Sequence, residues 1–382
     1  MQSQPAPGPA SHSFGGAFRG ARVLVTGHTG FKGSWLTSWL LHLGAEVFGL
    51  SKDVPTRPSL FDLGQLASRV HHQVGDIRDL GTVRAALQEA QPQFVFHLAA
   101  QPIVSLSYQD PLLTLSSNVM GTAHVLEALR EFDRPCAAII VTSDKCYDNL
   151  EWVWGYRETD ALGGKDIYSG SKAAAEAVFR AYWSSFFGAG RHPVRLASAR
   201  AGNVIGGGDW AADRIVADCI RAWGRGERVP IRSPQATRPW QHVLEPLSGY
   251  LALAARLAGD AQLDGESFNF GPSGEQNRSV LQLLGDLGAV WGLSSAEQAC
   301  EITGNVPFHE AGLLKLSCDK ALLRLGWRPT LGYGECVQLT GGWYREVLRE
   351  NADALGRTHA DIARYEALAS ERAQGWAAPA QR

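Results

Sequence analysis

No cysteine of this chain sits in a C-x-x-C pair, and none has a histidine partner at metal-binding spacing. The six cysteines, Cys136, Cys146, Cys219, Cys300, Cys318 and Cys336, are scattered. That excludes a cysteine-built metal site and reads as reduced thiols in a cytoplasmic protein. Long runs of one charge are also missing. The 36 Lys and Arg nearly balance the 38 Asp and Glu, for a net charge of −2. A nucleic acid polymer or a membrane surface is therefore not the expected partner. No apolar stretch is long enough to span a bilayer. The first 20 residues lack an apolar h-region and are rich in Pro, Gly, Ala and Ser. They read as a flexible tail and not as a signal peptide. There is no internal repeat.

What is present begins with length. A chain of 382 residues can bury a large core and has room for two lobes. Its 12 tryptophans are many, and Trp152, Trp154, Trp210 and Trp240 fall outside the obvious helices. Loops or a pocket could use their flat apolar faces.

Ala21 to Val25 is a short apolar strand, followed by Thr26-Gly27-His28-Thr29-Gly30-Phe31-Lys32-Gly33 and an apolar helix from Ser34 to Leu43. Strand, glycine turn and helix in that order are the setting of a dinucleotide fingerprint. Glycines there let backbone N–H groups and the helix N-terminus approach a pyrophosphate. The second strand, Glu46 to Leu50, runs into Ser51-Lys52-Asp53. Asp53 suits the ribose of NAD from a shifted position, and Lys52 suits the 2′-phosphate of NADP, so both cofactors stay open. Asp76, after a third strand near His72 to Val74, is placed for the adenine amino group, while Asp79 reads as a helix N-cap. The fourth strand, Phe94 to Ala100, ends in small residues that allow close approach by a cofactor. His97 within it reads as a satisfied core histidine. Asn118 falls in a helical pattern from Thr114 to Leu129, either holding a water near the active centre or serving as an ordinary polar helix residue.

The fifth strand, Ala137 to Val141, delivers Ser143, Asp144 and Lys145. Tyr168 and Lys172 follow, four residues apart and so on one face of a helix running to about Phe187. An ammonium beside a phenol favours the phenolate, a general base for a sugar hydroxyl. A hydroxyl, a carboxyl and an amine at consecutive positions are more acid–base equipment than alcohol oxidation needs. The irregular loop between Tyr147 and Asp166 is placed to cover a substrate. The Ala-rich face of the Tyr168 helix suits either a second subunit or the chain's own fold.

After a sixth strand, Val194 to Ala199, the rhythm breaks into Gly202-Asn203-Val204-Ile205-Gly206-Gly207-Gly208-Asp209-Trp210. Helices are expected over Asp213 to Trp223, Glu245 to Leu257, Ser279 to Trp291, Asp319 to Leu325 and Gly341 to Glu350, with a short strand at Phe268 to Gly271. Arg221, Arg225 and Arg228 read as a solvated face. Arg238 suits a phosphate clamp or a surface ion pair. The fold class is α/β, a doubly wound parallel Rossmann sheet with a second, smaller α/β substrate-binding lobe. The expected division is a tail at 1–20, a dinucleotide-binding domain at 21–200 and 242–266, a nucleotide-sugar-binding domain at 201–241 and 267–345, and a C-terminal helix and tail at 346–382.

The glycine motif, Gly75-Asp76-Ile77, His97-Leu98-Ala99-Ala100 and Tyr168-x-x-x-Lys172 together resemble the extended short-chain dehydrogenase/reductase superfamily. The stretches from Thr26 to Trp35, Thr142 to Asn149, Gly202 to Trp210 and Arg238 to Pro246 are similar within it to the CDP-glucose 4,6-dehydratase family. The likeness spans residues 21–345. It implies a lyase with a tightly bound NAD, regenerated each turnover, and CDP-glucose as substrate. The cofactor set it implies is Gly27, Thr29, Gly30, Phe31, Lys32, Gly33, Asp76, Ile77, Leu98, Ala99, Ala100, Tyr168 and Lys172. The substrate set is Gln101, Asn203, Arg214 and Arg238, with Asn203 and Arg238 on the diphosphate. Tyr168, assisted by Lys172, takes the O4 proton while C4 gives its hydride to the nicotinamide, and Ser143 hydrogen-bonds O4. Lys145, made neutral by burial and by nearby Lys172, takes the C5 proton, and a protonated Asp144 serves the leaving C6 hydroxyl. Cys146 packs inward and is not a nucleophile. No metal is implied, and a homodimer or higher homo-oligomer is. A nucleotide-sugar 4-epimerase, or a dehydratase of another nucleotide hexose, is the alternative on the same fold.

Overall fold

Strands that stay apolar on both faces need cover on both sides, and the central sheet has it. In the computed structural model, residues 12–188, 190–303 and 313–378 are described. The rest of the expected tails, 1–11 and 379–382, lies outside them, as do 304–312 of the expected sugar-binding domain. Six strands enter in chain order: β1 Arg22–Thr26, β2 Glu46–Ser51, β3 His71–Val74, β4 Phe94–His97, β5 Cys136–Val141 and β6 Val194–Ala201. A seventh, Ser267–Phe270, forms the edge beside β6. The spatial order is Ser267–Phe270, β6, β5, β4, β1, β2, β3, with every pair parallel. β1 pairs with both β2 and β4, so the winding reverses between β1 and β4. Ligands bind at the carboxyl ends of strands beside such a switch point.

Side-chain alternation builds a core on each face. Val23 and Val25 of β1 join Trp35, Trp39, Leu247, Leu251 and Trp343 on one side. Leu24 joins Val95, Ile140, Leu126, Leu129 and Phe179 on the other. Leu126 is fully buried, so truncating it to Ala should cost about 2–5 kcal/mol. The edge strand Ser267–Phe270 belongs to this sheet and not to the sugar-binding part, which moves the expected boundary at 267. Beyond β6 the chain forms short two-stranded pieces, Val204–Ile205 with Gln241–His242, Thr237–Arg238 with Arg278–Ser279, and Val229–Ile231 with Cys300–Ile302.

Two expectations fail on local packing. Residues 12–20 are no loose tail. Phe14 and Phe18 are buried. The Phe14 ring stacks on Trp376 at 4.9 Å, so the segments bearing Phe14 and Trp376 close over Trp39 and the C-terminal helix Ala354–Glu371. The helix expected over Thr114 to Leu129 is three pieces: Pro111–Leu115, a π-helical turn Ser116–Met120, and Gly121–Arg130. Such single π turns gather at functional sites. Farther on, the helix expected from Gly341 begins earlier, at Tyr333. Among the described residues no helix is long and apolar enough to cross a membrane.

Candidate active site

β5 ends at Val141 and passes straight into a short 3-10 turn, Asp144–Cys146. Ser143 caps that turn, its hydroxyl accepting from the Lys145 N–H at 3.2 Å and donating to Asp144 Oδ1 at 2.9 Å. Ser143 and Asp144 are buried, whereas Lys145 is only half-buried. The burial on which a neutral Lys145 was to rest is thus partial. Gly202, just past β6, lies against Asp144: a Cβ there would stand 3.2 Å from Asp144 Oδ2. Cys146 points inward and is fully buried, and burial raises its thiol well above the usual range.

The helix Ile167–Tyr182 opens on an N-cap from Asp166, which accepts from the Ser169 N–H at 2.9 Å. Tyr168, Lys172 and Glu176 are all buried on it, and spacing of four puts them on one stripe. Burial pushes the Lys172 amine down to about 8, against Cys146 and Glu176. Lys172 lies 6.0 Å from the Tyr168 ring centroid. The phenol was expected to be lowered by that ammonium. Instead burial raises it, with Arg214 and the hydrogen bond between Tyr168 and Ser143 pulling the other way. Desolvation of the phenolate outweighs the neighbouring charges here.

Two residues missed from the sequence sit beneath this pair. Arg200, at the end of β6, is fully buried and donates to Glu176 at 2.7 Å. Glu176 also accepts from Thr142 at 2.5 Å and Ser198 at 3.0 Å. Burial opposes its charge, yet Arg200 and these donors hold its pKa below the usual value. Arg200 continues to the Tyr147 hydroxyl at 2.8 Å, and Tyr147 donates to Asn269 at 2.8 Å. The network ties β5, β6, the edge strand and the loop base to the helix that bears Lys172. The i, i+4, i+8 spacing of Tyr168, Lys172 and Glu176 was the available signal.

At the glycine turn the backbone leaves no room for side chains. Gly27 has φ +78°, and a Cβ there would stand 2.7 Å from the Ala99 N. A Cβ on Gly33 would stand 2.0 Å from the Gly27 carbonyl oxygen. The helix that follows, α1 Phe31–His42, is capped at Gly30 with no side-chain hydrogen bond. Its first N–H groups therefore face an approaching ligand, as a pyrophosphate requires. Thr29 is held by its hydroxyl on the Asp53 carbonyl at 2.6 Å. Leu98, Ala99 and Ala100 follow β4 beside this turn. The cradle fits a dinucleotide.

The other candidates divide. Asp76 is bound by Arg78, through Nε at 2.9 Å and Nη2 at 2.7 Å, while Asp79 caps the next helix. Ile77 is buried and packs against Gly121. His97 is buried between Thr26 and Thr122, at 2.7 and 3.1 Å, and burial lowers it to about 3. Gln101 has both ends of its amide engaged, Nε2 on Thr114 and Oε1 on the Ile103 N–H. These two bonds fix its orientation in the loop after β4 and leave its second Nε2 N–H uncommitted. Asn118, inside the π turn, accepts from the Gln101 N–H at 2.8 Å and donates to Ser171 at 2.9 Å. It joins the loop after β4 to the Tyr168 helix. Arg214 is half-buried, and its charge reaches Tyr168. Asn203 and Arg238 are half-buried beyond β6, and Arg238 Nη1 donates to the Thr237 carbonyl at 2.9 Å. In the loop from Tyr147, the Tyr147, Tyr156 and Trp152 rings stack at 5.1 and 5.0 Å, while Val153 and Trp154 are exposed. Among the described residues no group of three His, Cys, Asp or Glu could hold a metal.

The sequence model of the GDP-mannose 4,6-dehydratase family matches residues 24–340. A CDP-glucose 4,6-dehydratase of Salmonella typhimurium is 47% identical over 335 residues, 87% of this chain and 92% of that protein. The UDP-glucose 4-epimerase of Thermus thermophilus, solved with NAD, superposes with a TM-score of 0.72 at 26% identity, covering 86% of this chain and 100% of that one. A dTDP-glucose 4,6-dehydratase of Streptomyces venezuelae shares the fold, with a TM-score of 0.73 at 24% identity over 87% of this chain and 99% of that one.

Proposed function

The chain belongs to the GDP-mannose 4,6-dehydratase family, and from that premise we propose that it converts CDP-glucose to CDP-4-keto-6-deoxyglucose and water. The observation that carries this reading is Asp144 and Lys145, directly behind Ser143 at the end of β5, with Asp144 within electrostatic reach of Tyr168. An epimerase has no need of that pair. NAD fits the cradle of Gly27, Thr29, Gly30, Phe31, Lys32 and Gly33, with Asp76, Ile77, Leu98, Ala99 and Ala100 alongside. When bound it supplies the acceptor that oxidises C4 and the donor that later reduces C6.

The chain's own residues handle protons and orientation. Ser143 holds O4 by its hydroxyl, and Tyr168 removes the O4 proton with the Lys172 ammonium supporting the phenolate. The ketone formed at C4 acidifies C5. The Lys145 amine takes the C5 proton, and Asp144 delivers a proton to O6 as the C6–O bond breaks. Lys145 then returns its proton to C5, and Asp144 regains a proton equivalent to the one that Tyr168 took from O4. Asn203, Arg214 and Arg238 serve the diphosphate from the smaller lobe, built on segments beyond β6.

Two coarser readings follow. The enzyme works in the cytoplasm, supported by six free cysteines, of which five are buried. It forms a homodimer, supported by apolar side chains outside the Tyr168 helix and its neighbours: Leu112 is 75% exposed and Tyr108 55%. Light scattering should give twice the chain mass, and a monomer would remove that reading.

The function is tested by mass analysis of products from CDP-, dTDP- and GDP-sugars without added reductant. CDP-glucose should lose one water. A product of unchanged mass would instead support an epimerase.

A further inference from the structure

Lys32 was grouped with the cofactor cradle, but its ammonium stands among catalytic groups. It lies in the first turn of α1, 6.0 Å from the Tyr250 ring centroid. Its charged neighbours are Arg214, Asp144 and Lys172. The Asp144 charge reaches Lys32 with no direct ion pair between them among the described residues. Tyr250, from the helix Leu244–Gly259, is fully buried. Its hydroxyl has no hydrogen-bond partner among the described residues, and the Asp144 charge reaches it too. An unpartnered buried hydroxyl is costly and calls for a bound partner. Asp144, Lys32 and Tyr250 thus share one polar neighbourhood, with Gly202 placing no side chain against the Asp144 carboxyl.

We propose, resting on the dehydratase reading, that Lys32 is a second proton donor to the departing C6 hydroxyl, with the Tyr250 hydroxyl holding the water that forms. The C5 proton passes to Lys145, the C5–H electron pair forms the C5–C6 double bond, and the C6–O pair leaves with oxygen. That oxygen takes its proton from Asp144 or from the Lys32 ammonium, which regains one from solvent. Burial, first, and then Arg214 lower the Lys32 amine to about 8, so near neutrality it carries a proton it can give up. Asp144 and Lys32 are then parallel donors, which explains an amine in a turn whose other task needs only backbone.

The test compares full-length Lys32→Met and Lys32→Arg with wild type on CDP-glucose. Arg keeps the charge but cannot give up its proton. Both variants should bind CDP-glucose by calorimetry and show the near-ultraviolet rise of reduced nicotinamide. Both should also keep deuterium exchange at C5, while loss of water slows roughly 2–10-fold, because Asp144 remains as the other donor. An arginine variant that restores the wild-type rate would show a purely electrostatic role and overturn the proposal. So would loss of binding, or of the near-ultraviolet rise, in both variants. Wild-type protein that dehydrates no CDP-glucose sinks the dehydratase reading and this role with it. A wild type that dehydrates beside an arginine variant that keeps pace sinks the Lys32 role alone.

Discussion

Replacing Glu176 with Gln tests the buried pair beneath the catalytic helix. Glu176 and Arg200 have side chains 1% and 0% exposed, at 2.7 Å. The amide keeps the shape but removes the charge that Arg200 was buried against. It also turns an NH2 toward Arg200, Thr142 or Ser198, all of which donate to the carboxylate now. Breaking one side of a buried pair costs about 3–5 kcal/mol. That is a fifth or more of a typical fold's stability of roughly 5–15 kcal/mol. Large domains shift by about 2 °C per kcal/mol, so calorimetry should show Tm falling by roughly 6–10 °C. The double variant Glu176→Leu with Arg200→Met should recover most of the loss, because neither charge is then left desolvated. Activity supplies a second reading. Lys172, already lowered to about 8 by burial, is held up in part by Glu176. Without that charge the ammonium is lost at lower pH, so the alkaline fall in rate should move acidward. A Tm within about 2 °C of wild type, less than about 1 kcal/mol on the same scale, would refute the reasoning. So would a double variant no more stable than the single.

Three further outcomes are expected. Lys145→Met should abolish water loss and C5 deuterium exchange together, read by mass spectrometry and NMR; retained exchange would remove the lysine from its role. Gly33→Ala puts a methyl into the Gly27 carbonyl and the His28 Cα, an overpacking worth about 1–3 kcal/mol or more; the protein should purify without bound nucleotide, judged by the absorbance released on acid denaturation. The Lys172 titration should also appear in stability. Its folded value of about 8 lies below the ordinary 10.5, so between those values the unfolded chain binds the extra proton. Stability from this group then rises with pH from about 8 to 10.5 and is lost below 8; denaturant midpoints of wild type and Lys172→Met, compared across that range, should converge toward alkaline pH.

The parts of the molecule legible in the sequence are those written in local period. Strand and helix alternate from Arg22 to Ala201 because each strand is covered on both faces, and the glycine turn declares itself by spacing. The Tyr168–Lys172 pair is legible for the same reason, one helical turn. What was hidden depends on contacts between distant segments. Phe14 and Phe18 sit in a Pro- and Gly-rich stretch whose composition reads as loose, and only Trp376, at the far end of the chain, supplies the face that buries them. Asn118 looked like an ordinary helix residue because a π turn leaves no mark in apolar periodicity. Glu176 and Arg200 are 24 residues apart, in a helix and a strand that each make sense alone. The same division governs the chemistry. Spacing brings Tyr168 to Lys172, but burial, a tertiary property, decides that the phenol rises where a neighbouring charge alone would lower it. It also decides that Lys145, the residue asked to work as a base, stands half-open to solvent while Lys172 and Ser143 do not. A half-open lysine can exchange its proton with solvent between turnovers. That suits a base that must collect a proton at C5 and return it once C6 has been reduced.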